Sequence, residues 1–280
     1  MAAVYVGILY CCPSEIRRLP RDHPRHILAR FVLISIACAL FPAYLYAFYR
    51  ESDNGISMAT KLGFKDDVVE TLTTSLSVLV LTMLLFAGSI FSNALEIRCI
   101  KKHEKTTWRG AFQQTHLYRM LVIEKMPTMR TLIFGPLTEE FAFRSCMLPL
   151  LLDGGWSIST TIFASPLAFG VAHVHHFIDH IRSGRSFKTS LAIVVFQFLY
   201  TTVFGIYASF IFLRTGHFFA VFGVHAFCNL MGFPDVSFLS TEHPLHAHQV
   251  AILSMYIVGI FAFSALLFAL TSVSPPSIFW

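Results

Sequence analysis

The sequence predicts an all-α fold, a polytopic helical membrane protein with about eight transmembrane segments, and three observations carry that prediction. Hydrophobic residues make up 55% of the chain and charged residues 13%, against roughly 25% charged in an average soluble domain. The apolar residues fall into blocks of about 15 to 25, the length that crosses a bilayer as a helix. Of the 21 Lys and Arg residues, 20 stand between those blocks. No linker, low-complexity tract or internal repeat divides the chain, so residues 1–280 read as one membrane-embedded domain.

The blocks run from Met1 to Cys12, Phe31 to Phe48, Thr71 to Leu95, Thr131 to Leu152, Ile158 to His175, Leu191 to Leu213, His217 to Met231 and Val250 to Leu270. The first has only 12 residues, short of the ~20 a span needs. It lacks the basic start and small-residue cleavage site of a signal peptide, and a short first span is expected. The seventh, about 15 residues with Gly216, Gly223 and Gly232 around and within it, is expected to be tilted, broken or partly immersed. A bilayer permits that where protein or a wet cavity covers the backbone.

Between the blocks, the odd-numbered connections hold 16 Lys and Arg residues and the even-numbered ones 4, with Arg144 inside a segment. The positive-inside rule then places the connections 13–30, 96–130 and 176–190 in the cytosol. The net charge of +5 reports topology. It does not suit a nucleic-acid partner, because the cations are spread over loops with no groove-binding motif. The connection 96–130, with Trp108 and several cations, suits either the headgroup surface or solvent. The six cysteines show no metal spacing and mostly lie in apolar surroundings, as reduced packing residues do. The pair Cys11 and Cys12 is also a candidate for acylation.

Ionisable groups inside a membrane segment are candidate functional sites, and three segments carry polar clusters. The first is "GPLTEEFAFR", with Glu139, Glu140 and Arg144. On an α-helix Glu140 and Arg144 are four apart on one face and form an ion pair, whereas Glu139 points about 140° from Arg144. Glu140 then neutralises Arg144. Glu139 is left to the site or to a neighbouring helix, and a carboxylate in a poorly hydrated place takes a proton more readily than one in water.

The second cluster is "FGVAHVHH", with Phe169, His173, His175 and His176. The third is "GVHAFCN", with His225 and Asn229 four apart, which presents an imidazole and a carboxamide side by side. Two donors aimed at one point are what an oxyanion requires. Taken singly, each cluster also fits ordinary packing. Taken with the topology, Glu139, His173 and His225 are expected at one depth near the cytosolic side, the set that water attack on a carbonyl needs.

The stretches "EEFAFR" (Glu139 to Arg144), "FGVAH" (Phe169 to His173) and "HAFCN" (His225 to Asn229) resemble the EExxxR, FxxxH and HxxxN motifs of the CAAX protease and bacteriocin-processing superfamily. Within it the chain is similar to the type 2 CAAX prenyl proteases. "LPRDHP", "SCMLPLL", "FQFLYTTVFG" and "LRTGH" extend the likeness over most of residues 19–232, with the motif-bearing core at about 131–232. The resemblance implies a multi-pass endopeptidase of the endoplasmic reticulum membrane, its intramembrane catalytic cavity open to the cytosol. It would act on prenylated CaaX proteins, Ras-like small GTPases among them, and remove the last three residues. By the same resemblance Glu139 and His173 activate water, His225 and Asn229 hold the oxyanion, and Glu140, Arg144 and Phe169 support the site, with no cofactor. The resemblance leaves the oligomeric state open.

Two other readings stand beside it. A zinc peptidase would use His173, His225 and a glutamate as ligands, although no HExxH is present. A transporter or scaffold would use the same groups to relay protons or pin helices, although transporters often show internal repeats.

Overall fold

The computed structural model describes residues 1–49, 55–172 and 176–280. Those residues are mostly helical and contain no strand, as their composition predicts. In chain order the principal helices are α1 (Ala2–Gly7), α2 (Pro24–Tyr49), α3 (Val68–Leu85), α4 (Ala87–His103), a composite run α5 over 125–153, α6 (Ile158–Ala172), α7 (Phe187–Thr215), α8 (Phe218–Met231) and α9 (Gln249–Leu270). Among them α2, α3, α7 and α9 are long and apolar enough to cross a membrane. The helices α6 and α8, and α1 with the turn after it, are apolar but shorter.

The long helices carry apolar residues on opposite faces, as lipid-facing helices do. In α2, Leu28, Val32, Ile36, Leu40 and Tyr44 recur every fourth residue and are exposed, while Ile27, Ile34, Ala37, Phe41 and Leu45 are buried. Pro42 sits inside that helix and Pro166 inside α6, positions that membrane helices tolerate because neighbouring groups satisfy the freed carbonyls. Helix α7 starts on Ser186, whose Oγ accepts the Thr189 N–H at 3.2 Å. It stops at Gly216, left-handed at φ +68°, a conformation that favours glycine.

Two elements differ from the sequence expectation, and a third, the connection 96–130, takes a form that the sequence left open. The block from Thr71 to Leu95 is two helices, jointed at Phe86 (φ −93°, ψ 15°). Helix α9 crowds that joint: a Cβ on Gly259 would lie 2.3 Å from the Leu84 carbonyl oxygen, and one on Gly88 2.3 Å from the Tyr256 ring. Apolarity is unbroken across Phe86, so hydropathy carries no mark of the joint. The connection 96–130 is largely helical: α4 continues to His103, and further turns follow at Trp108–Gln113, His116–Tyr118 and Arg119–Ile123. The Lys101 ammonium lies 4.6 Å from the centre of the exposed Trp108 ring. The block from Thr131 to Leu152 falls in α5, which alternates α turns with the π turns Met129–Phe134 and Phe141–Cys146.

The chain forms two compact units, each assembled from separated stretches. The first comprises Met1–Thr71, Leu137–Phe222 and Val273–Trp280, and the second Leu72–Pro136 and Gly223–Ser272. The first holds Glu139, Glu140, Arg144 and Phe169; the second holds His225 and Asn229.

Candidate active site

The buried half of the first motif is an ion pair built by the winding of α5. Arg144 Nη1 donates to Glu140 Oε1 at 3.0 Å, with side-chain exposures of 1% and 0%. Two charges taken out of water together are tolerable, and removing either partner strands the other. The guanidinium is also stacked, 4.5 Å from the centre of the Phe169 ring and 5.7 Å from that of Phe204. An aromatic face attracts a desolvated cation through its quadrupole. Phe169 in turn meets Phe143 edge to face at 5.0 Å. Room for Arg144 comes from Gly205 on α7, where a Cβ would stand 3.2 Å from Arg144 Nη2 and 2.7 Å from Pro166 Cβ.

The residue before the two glutamates is fixed as well. Thr138 Oγ1 and the Tyr5 hydroxyl lie 2.9 Å apart in a buried hydrogen bond, and Tyr5 packs on Phe143 at 5.5 Å. The short α1, left loosely placed by sequence, thus braces the motif segment. Tyr5, Thr138, Phe204 and Gly205 are supporting residues that the sequence reading did not single out as such. "GPLTEE" and "FQFLYTTVFG" contained Thr138, Phe204 and Gly205, and no pattern in the sequence marked Tyr5.

Glu139 differs from its neighbour in burial: it is half-buried where Glu140 is fully buried. The separation of Glu139 from Arg144 by about 140° holds for 3.6 residues per turn, but residues 141–146 wind as a π-helix. Bonds from i to i+5 widen the turn and carry a residue five places on back toward the same side. Spacing therefore does not separate the carboxylates; burial and the bond to Arg144 do. Turns of this kind are rare and frequently accompany functional sites. His173 and His175 lie outside the described residues, while Phe169, at the head of the same motif, is placed against Arg144.

In the second unit, His225 and Asn229 stand one turn apart on α8. His225 is 5% exposed. Asn229 Nδ2 donates to the Thr131 carbonyl oxygen at 2.9 Å, which fixes the amide's orientation. A carboxamide nitrogen carries two hydrogens, so this bond leaves Asn229 a second N–H to donate. Phe227, on the turn between them, meets Phe86 edge to face at 5.6 Å. A cavity of about 710 Å³ in this unit is lined by Ser89, Asn93, Glu96, Met231, His243 and Tyr256 among others, and not by His225 or Asn229. Among the described residues no three His, Cys, Asp or Glu side chains gather as a metal cage.

The family described as Type II CAAX prenyl endopeptidase Rce1-like matches residues 123–231, the stretch that holds every motif residue above. The chain is 36% identical to human CAAX prenyl protease 2, over 97% of this chain and 79% of that protein. It is 33% identical to CAAX prenyl protease 2 of Arabidopsis thaliana, over 97% and 87%. To the probable CAAX prenyl protease 2 of Schizosaccharomyces pombe it is 34% identical, over 84% and 79%. No solved structure matches the chain.

Proposed function

Starting from a chain that belongs to the Rce1-like family of type II CAAX prenyl endopeptidases, we propose a glutamate-driven intramembrane hydrolysis. The protein cuts prenylated CaaX proteins, Ras-like small GTPases among them, after the modified cysteine and releases the last three residues. It works in the endoplasmic reticulum membrane with its site open to the cytosol, and it needs no cofactor. The prenyl chain partitions into lipid while the peptide tail is polar, which suits a polar site reached from both sides.

Glu139, with His173, takes a proton from water as the oxygen adds to the carbonyl carbon. The N–H groups of His225 and Asn229 hold the oxyanion. When the intermediate collapses, the C–N bond breaks and the proton passes to the departing amine of the tripeptide. Glu140 does not share that work, because its charge is committed to Arg144.

The observation that carries this division is the unlike setting of two adjacent glutamates: one fully buried on Arg144 and backed by Phe169, the other half-buried. Incubating the purified protein with a farnesylated CaaX peptide, with and without a strong chelator, tests the reading. An intact tripeptide released at the same rate in both is the expected result. Activity lost in chelator and restored by zinc alone would move the chemistry to a metal, and no tripeptide at all would leave a transporter or scaffold.

A further inference from the structure

Helix α8 carries both proposed oxyanion donors, and its first residues are held by a group of bonds that the chemistry above does not use. His217, just before the helix, is fully buried at 0% exposure. Its Nε2 lies 3.1 Å from Glu70 Oε1, and its Nδ1 3.4 Å from Thr71 Oγ1. The next residue, Phe218, donates its backbone N–H to the Gly63 carbonyl oxygen at 2.9 Å. That N–H is one of the four that a helix start leaves without an intrahelical partner. A side-chain cap is the ordinary solution, and here a distant loop supplies the acceptor.

The loop itself is fixed. Gly63 adopts φ +82°, and a Cβ there would stand 2.7 Å from Phe212 Cε2 and 2.9 Å from the Phe218 nitrogen. Only glycine lets the two backbones approach this closely. Two residues earlier, Lys61 is buried, 3.7 Å from Asp153 Oδ2 and 3.8 Å from the centre of the Tyr49 ring. The loop before α3 is therefore anchored, and the start of α8 is held by its Gly63 carbonyl and, through His217, by the Glu70 and Thr71 side chains in the first turn of α3.

The geometry points to Glu70 and His217 as positioning residues: they set where α8 begins and how it is rotated, and through that helix they aim His225 and Asn229. This rests on the oxyanion role proposed for those two residues. At 1.5 Å per residue, His225 lies about 10 Å and Asn229 about 16 Å along the helix from Phe218. A few degrees of tilt at the start therefore becomes roughly 1 Å at the donors. A misplacement of that size at a reacting centre can cost about 10² in rate. The Glu70 side chain is 25% exposed and His217 1%, so Glu70 is the partner that can be changed without opening a hole in the core.

Single-turnover cleavage of a farnesylated CaaX peptide by the full-length protein tests this, because amplitude reports how many molecules are folded and the rate constant reports how well they are aligned. Glu70→Ala should lower the rate constant about ten- to a hundredfold with peptide affinity nearly unchanged. Glu70→Gln, which keeps a carbonyl oxygen for His217, should restore most of the rate. Combined with Asn229→Ala, the loss should be smaller than the product of the two single losses, since part of the Glu70 effect runs through Asn229. A fall in amplitude at an unchanged rate constant would reduce the bonds to simple folding contacts and overturn the proposal. So would full multiplication of the two losses. If Asn229→Ala is slow and Glu70→Ala normal, the positioning role fails alone; if Asn229→Ala leaves the rate constant intact, the oxyanion reading fails and the positioning role with it.

Discussion

Glu139 and Glu140 are chemically identical neighbours in unlike surroundings, and the proposed division of their work rests on that difference. Glu140 with Arg144 is a closed pair at 0% and 1% exposure, so cutting it should cost on the order of 3–5 kcal/mol by stranding a buried charge. Glu140→Ala and Arg144→Ala should each lower the yield of folded protein and its unfolding midpoint in detergent, with activity falling in step. Phe169→Leu keeps an apolar side chain of most of the volume and removes the aromatic face 4.5 Å from the guanidinium; a loss of about 0.5–2 kcal/mol is expected in the same unfolding measurement. Asn229→Ala should behave otherwise, slowing the chemical step by about 10² to 10³ with binding preserved. Asn229→Asp should be slower still, because it sets a negative charge against the oxyanion. Single-turnover rates measured beside peptide affinity separate these outcomes. The pairing of Glu140 with Arg144 was legible from spacing alone. The stacking of Arg144 on Phe169 and Phe204 was not, because those rings come from other helices and sequence spacing says nothing about which faces meet.

Helices here were easier to predict than their joints. Apolar blocks marked α2, α7 and α9 well, since a run of 20 or so apolar residues has few alternatives in a membrane. The break at Phe86 and the π turns of α5 left no trace, because both fall inside unbroken apolar runs and the close approach of α9 to the joint is a tertiary feature. The glycines were visible as letters, and their purpose appears only in the packing. Gly205→Ala would drive a methyl group to 2.7 Å from Pro166 Cβ and toward Arg144. Overpacking of that kind typically costs about 1–3 kcal/mol, and Gly205→Val should cost more. An unfolding midpoint that did not move for Gly205→Val would mean that α6 and α7 yield more readily than their close approach indicates.

Across the whole chain, composition established a multi-pass helical protein, and the bias of Lys and Arg toward odd-numbered connections carries its expected orientation. In sealed vesicles with the cytosolic face outward, a cysteine placed at Lys105 should react with a membrane-impermeant thiol reagent. One at Gly155, in a connection without cations, should react only after permeabilisation; the opposite pattern would invert the topology. The proposed chemistry turns on a narrower point: Glu139, rather than Glu140, as the base that activates water. Its most direct test is single-turnover cleavage of a farnesylated CaaX peptide by Glu139→Gln and Glu140→Gln, each purified as folded protein, with peptide affinity measured in parallel. Glu139→Gln should fold, bind the peptide and release no tripeptide. Near-normal cleavage by Glu139→Gln, alongside a well-folded and inactive Glu140→Gln, would contradict it and exchange the two roles.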